Sequence, residues 1–96
     1  MDKSYISLEE IKQKEKSKDL TNYLLEDLIS KIRNHRIHQG FSQRELSRIS
    51  GVTQNIISRM ENLVAIPEFA TMIKLIQALD LDIEIIIKSN KEKEDE

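Results

Sequence analysis

The chain has 96 residues, with 15 lysines and arginines against 17 acids, no cysteine, no tryptophan, two glycines and one proline. Its length admits one small domain, and the absence of cysteine excludes both a disulfide framework and a thiolate zinc site. No apolar run approaches the roughly 18 residues of a membrane span, and MDKSYISLEE has no hydrophobic leader core; a soluble cytoplasmic protein without membrane contact is expected.

The net charge of −2 argues against nucleic acid only when taken as a total. Residues 31–59 carry Lys31, Arg33, Arg36, Arg44, Arg48 and Arg59 against Glu45 alone, whereas the flanking stretches are acidic. The arginines gather in that central block, and a planar guanidinium suits both phosphate and guanine. Hydrophobic residues make up 39% of the chain and aromatics 4%. Such a core leaves a narrow margin of stability, which oligomerisation would supplement.

Residues 1–18 are charged, with Tyr5, Leu8 and Ile11 spaced for a short amphipathic helix, and are expected to form an arm. Residues 19–88 are expected to form the main domain, and 89–96 (from SNKEKEDE) a solvated, disordered acidic tail. Between Leu20 and Ile37, Leu24, Leu25, Leu28, Ile29 and Ile32 recur at helical spacing, with Asp19 or Thr21 as a cap and Gly40 as the close. Ser42-Gln43-Arg44-Glu45 reads as a capping box, with Phe41 placed to staple onto Leu46. That predicts a helix from Ser42 to Gly51. Thr53 then caps a second short helix with Val52 and Ile57 as its staple and Ile56, Ile57 and Met60 as its inner stripe.

Leu63 to Ile66 is predicted to be a loop, and Pro67 and Glu68 suit the first turn of a further helix that buries Phe69, Met72, Ile73, Ile76 and Leu79. From Leu81 to Lys88 the period switches to two, with Ile-rich positions that predict a β-strand. No second strand follows from the sequence. The partner expected is therefore the same strand of another copy, paired across a two-fold axis through Leu81, Ile83, Ile85 and Ile87. The fold class is mainly α: a small helical bundle containing two short helices joined by a tight turn, plus this C-terminal strand in a homodimer.

The run Gln43 to Asn62, QRELSRISGVTQNIISRMEN, resembles the helix-turn-helix of the Cro/C1 (XRE-type) repressor family. The family's Gln, its Leu and small residue, its turn glycine and hydrophobe, and its later Ile and Glu fall on Gln43, Leu46 and Ser47, Gly51 and Val52, Ile57, and Glu61. Ser47 stands where Ala is usual, Leu63 where Gly usually follows Asn62, and the family's fifth helix is replaced by the Leu81–Lys88 stretch. What the resemblance implies is a lambda-repressor-like DNA-binding domain.

The residues themselves suit that role. Thr53, Gln54, Asn55, Ser58 and Arg59 would lie on the outer side of the second short helix, where Gln and Asn can bond adenine and Arg can bond guanine, each worth about 1 to 3 kcal/mol of discrimination. Gln43, Arg44 and Asn62 suit phosphate oxygens, with Arg36 or His38 as further candidates. One reading helix is too little for tight recognition. A symmetric homodimer on a palindromic double-stranded operator, with reading helices about 34 Å apart, is expected.

His35 and His38 are three apart, but no third ligand and no Cys accompany them, so no metal is expected. No cofactor motif or nucleophile motif occurs, and an enzyme is not expected. The charged N-terminal extension, the helix-turn-helix and the short C-terminal strand together look like HigA-type antitoxins of type II toxin-antitoxin modules. That resemblance implies repression of the protein's own operon and a partner that is a small basic ribonuclease toxin of the RelE type, cleaving messenger RNA. Tyr5, Leu8 and Ile11 are the residues expected to meet the toxin. A free-standing or phage-type repressor without a toxin is the alternative, and a protein-binding helical module that has lost DNA contact is a third.

Overall fold

The computed structural model describes residues 20–89, and the expected arm at 1–18 and most of the acidic tail lie outside that range. Four helices follow one another: α1 (Leu20–His38), α2 (Gln43–Ser50), α3 (Gln54–Glu61) and α4 (Phe69–Ala78). The core lies where α3 packs on α1 and α2, and α4 packs on α2. Ile29 and Ile32 of α1, Leu46 of α2, Val52 in the turn, Ile57 and Met60 of α3, and Met72, Leu75, Ile76 and Leu79 from α4 and its end are all buried there.

Local chemistry sets the helix starts. Ser42 takes an extended conformation and its hydroxyl accepts from the Glu45 amide, while the Glu45 carboxylate accepts from the Ser42 amide at 2.8 Å. This is the capping box expected from the sequence. Those bonds to Ser42 hold the Glu45 carboxyl below its ordinary pKa, with Arg48 adding in the same direction. Thr53 caps α3 through the Ile56 amide. Glu68 is the N-cap of α4 without a side-chain bond, so Pro67 precedes the cap rather than entering the first turn.

All four helix ends turn through a left-handed residue: Gly40, Gly51, Leu63 and Asp80, at φ of 86°, 80°, 59° and 61°. After α1, the Phe41 and Gly40 amides donate back to the carbonyls of Arg36 and Ile37. The same paired closure recurs at Val64 and Leu63 onto Arg59 and Met60, and at Leu81 and Asp80 onto Ile76 and Gln77. The chain's two glycines serve only two of these ends. Leu63 accepts a conformation that costs an L-residue roughly 1 to 2 kcal/mol, whereas Asp tolerates it more readily. The turn after Asn62 is thus retained although Leu63 replaces the usual glycine.

Several apolar residues lie outside the expected core. Leu24, Ile56 and Phe69 are exposed, because a helix turns about 100° per residue and only the narrow stripe that faces a neighbouring helix is covered. Phe69 stands at the first residue of α4, one turn before buried Met72, where the stripe runs off the core. No strand occurs among the described residues. After Asp80, Leu81 packs against the protein's own core, but Ile83, Ile85, Ile86 and Ile87 are exposed, Ile87 at 92%. Strand pairing needs a second backbone, and the described chain supplies none.

Candidate nucleic-acid interface

The two short helices are held against each other by a buried ionic junction. The Arg36 guanidinium of α1 donates through Nε to Glu61 Oε2 at 2.8 Å and through Nη2 to Oε1 at 2.9 Å. Its Nη1 donates to the Phe41 carbonyl at 2.7 Å, in the turn between α1 and α2. Gln43, first residue of α2, donates through Nε2 to Glu61 Oε1 at 3.0 Å. Arg33 stands 3.8 Å from the same oxygen. The Glu61 side chain is 3% exposed and that of Arg36 10%, so the pair is desolvated, planar and bidentate. No buried side-chain nitrogen or oxygen among the described residues lacks a partner.

This junction corrects one expectation and qualifies another. Arg36 is committed to Glu61 inside the domain and is not placed to meet phosphate. Gln43 has one amide hydrogen committed to Glu61, and its second is the one left for an outside acceptor. By this linkage the start of α2 is tied to the end of α3, so the two helices hold a fixed relative orientation. Just past the Arg36 end of α1, Gln39 Nε2 donates to the Leu79 carbonyl at 2.9 Å and so ties that end of α1 to the end of α4.

Within α3, Ile57 and Met60 face the core and Glu61 the junction. The opposite side presents Gln54, Asn55 and Arg59 to solvent, with Ser58 half-buried and Thr53 and Asn62 exposed at the two ends. Arg44 is exposed on α2. The expected reading residues are therefore brought together on one outward face by a short, capped helix. His35 and His38 are both exposed, and no cluster of three His, Cys, Asp or Glu suited to a metal occurs among the described residues.

Two features of this face were not expected. Ile56 is exposed beside Asn55 and Arg59, in a groove of about 380 Å³ completed by Ala65, Pro67, Glu68 and Thr71. The loop after α3, next to Asn62, carries the exposed apolar side chains of Leu63, Val64 and Ile66. The Arg36–Glu61 pair was also unforeseen, because its members are 25 residues apart and a charge pairing at that distance leaves no periodic trace.

No helix among the described residues is long and apolar enough to cross a membrane. No solved structure matches the chain significantly. The chain is similar to an uncharacterised HTH-type transcriptional regulator, y4dL, of Sinorhizobium fredii, at 39% identity over 61 residues, which is 64% of this chain. It spans 31% of that relative's length. A family model described as Helix-turn-helix matches residues 32–86, more than half of the chain and all of the α2–α3 unit. With the capped pair, the left-handed Gly51 between them and the polar outer face of α3, this protein belongs to the Cro/C1-type (XRE) helix-turn-helix family.

Proposed function

We propose that the protein is a sequence-specific repressor that reads a palindromic double-stranded operator as a homodimer, and that it is the antitoxin of a type II toxin-antitoxin module. The outward face of α3 carries the DNA reading: amide, hydroxyl and guanidinium groups at Gln54, Asn55, Ser58 and Arg59 project from a helix whose other side is locked to α1 and α2. The exposed Arg44, Arg48 and Arg59 of the 31–59 block support approach to phosphate, with Arg44, Asn62 and the second amide hydrogen of Gln43 as the contacts. The regulator name carried by the relative from Sinorhizobium fredii agrees with control of transcription.

Dimerisation is assigned to the C-terminal segment. Ile83, Ile85 and Ile87 are exposed and their backbone forms no ladder among the described residues, so an antiparallel two-stranded sheet with a second copy would satisfy both. Leu81 anchors the base of that segment to the domain. The toxin role rests on apolar surface that DNA does not need: Leu63, Val64, Ile66 and Phe69 stay exposed around the α3–α4 connection. Tyr5, Leu8 and Ile11 of the N-terminal arm, outside the described residues, are proposed to complete the surface that meets a small basic ribonuclease. A free-standing repressor would use the same helix and dimer with no such partner.

The test is co-purification of the untagged product of the adjacent gene, followed by a gel shift of the eluate on their shared promoter. A retained small partner together with a shifted band is the expected result. A shift with no retained partner supports the free-standing repressor instead, and no shift overturns the DNA reading. Within the shift, Gln54→Ala or Asn55→Ala should weaken the specific duplex and relax sequence preference, whereas Arg44→Ala should weaken all duplexes alike. Equal losses on specific and random DNA for all three variants would contradict that division.

A further inference from the structure

The outward side of α3 is polar at every exposed position but one. Ile56 is 39% exposed and is flanked by Asn55 and Arg59, while Ala65, Pro67 and Thr71 continue its apolar surface into the groove. The core does not call for it, since Ile57 and Met60 already fill the inner side of α3 at full burial. A β-branched side chain also lowers helix propensity, and 39% of Ile56 is nevertheless left open to solvent beside Asn55 and Arg59. Along the major-groove edges of DNA, the one apolar group is the 5-methyl of thymine; every other base edge offers donors and acceptors.

On the DNA-reading assignment above, we propose that Ile56 is a specificity-determining residue that packs on a thymine 5-methyl group, next to the base edges taken by Asn55 and Arg59. Asn55 and Arg59 supply polar contacts on the two sides of Ile56, and the Ile56 side chain itself offers neither a donor nor an acceptor to a cytosine edge at the same position. The half-site would therefore contain a thymine whose methyl, rather than its hydrogen-bonding groups, is recognised. A stiff β-branched side chain suits this use, because its shape is fixed before DNA arrives.

The test uses a duplex that the full-length protein itself selects from a random pool. Each thymine of that duplex is replaced in turn by uracil, which removes the methyl and leaves base pairing intact, and affinity is read by fluorescence anisotropy. For the parent protein, one thymine position per half-site should lose about fourfold in affinity on this change, the worth of about one buried methyl. Ile56→Ala should bind the thymine duplex less well and become indifferent to uracil at that position, whereas Ile56→Val should keep most of the discrimination. Circular dichroism and sedimentation show whether Ile56→Ala keeps its fold and oligomeric state. A uracil profile identical for parent and Ile56→Ala overturns the proposal, as does an altered oligomeric state, which would place Ile56 in a protein interface. If the pool yields no preferred duplex, the DNA reading fails as well; if it yields one with an unchanged thymine profile, only the role of Ile56 fails.

Discussion

The junction between α1, α2 and α3 and the segment after Asp80 are opposites within one small chain. At the junction, Arg36, Glu61 and Gln43 exchange hydrogen bonds at 2.8 to 3.0 Å, and the Arg36 and Glu61 charges, shut away from water, meet each other inside the molecule. In the C-terminal segment, Ile83, Ile85, Ile86 and Ile87 stand exposed and the backbone has no ladder. The first region is determined by the chain alone. The second has demands that nothing among the described residues meets, and the proposed dimerisation would meet them. Stability should therefore respond to substitution at the junction independently of protein concentration, and at the segment only through association.

The largest effect is expected at Glu61. Glu61→Ala leaves the Arg36 guanidinium buried and without its partner, and should cost about 3 to 5 kcal/mol, enough to unfold much of so small a domain. Chemical denaturation would measure it, and a loss under about 1 kcal/mol would show the junction to be well hydrated. Next comes Gly51, at φ of 80° between α2 and α3 with open space where a Cβ would stand. Gly51→Ala should lose about 1 to 2 kcal/mol from backbone strain alone. An unchanged melting temperature would mean the turn relaxes to another conformation.

Ile85→Asp sharpens the contrast from the other side. The residue is 67% exposed, so the folding free energy of the dilute monomer should stay within about 0.5 kcal/mol of the parent. The parent's melting temperature should rise with protein concentration and the variant's should not; a variant that still sediments as a dimer would locate the interface elsewhere. The smallest effect concerns Glu45, whose carboxyl is held below its ordinary pKa by the bonds to Ser42. A depressed folded-state value means that its contribution is complete above the unfolded value and is lost as pH falls through the folded one. Stability should thus decline slightly on acidification below the ordinary glutamate range, and Glu45→Gln should flatten that part of the profile without affecting the rest.

What was legible in the sequence was whatever is encoded locally. Ser42 and Glu45, Thr53, Gly40 and Gly51 announce helix ends because each satisfies backbone groups within a few residues of itself. The outward set on α3 was legible for the same reason, since helical spacing fixes which side chains share a face. The Arg36–Glu61 pair was not, because it joins separate helices across 25 residues and either charge alone reads as a solvated one. The left-handed turns at Leu63 and Asp80 were missed because neither residue type signals that conformation as glycine does. Exposure of Leu24, Ile56 and Phe69 depends on how far each neighbouring helix reaches, which periodicity does not contain.

The most direct test of the central claim is the salt dependence of binding, measured by fluorescence anisotropy on the selected duplex and on a random one. A dimer that replaces several phosphate counterions should lose affinity linearly in log salt between about 50 and 200 mM on both duplexes, with a constant preference for the selected one that shrinks in Asn55→Ala. Binding that is indifferent to salt, or equal on the two duplexes at every salt concentration, would contradict the account of α3 as a reading helix.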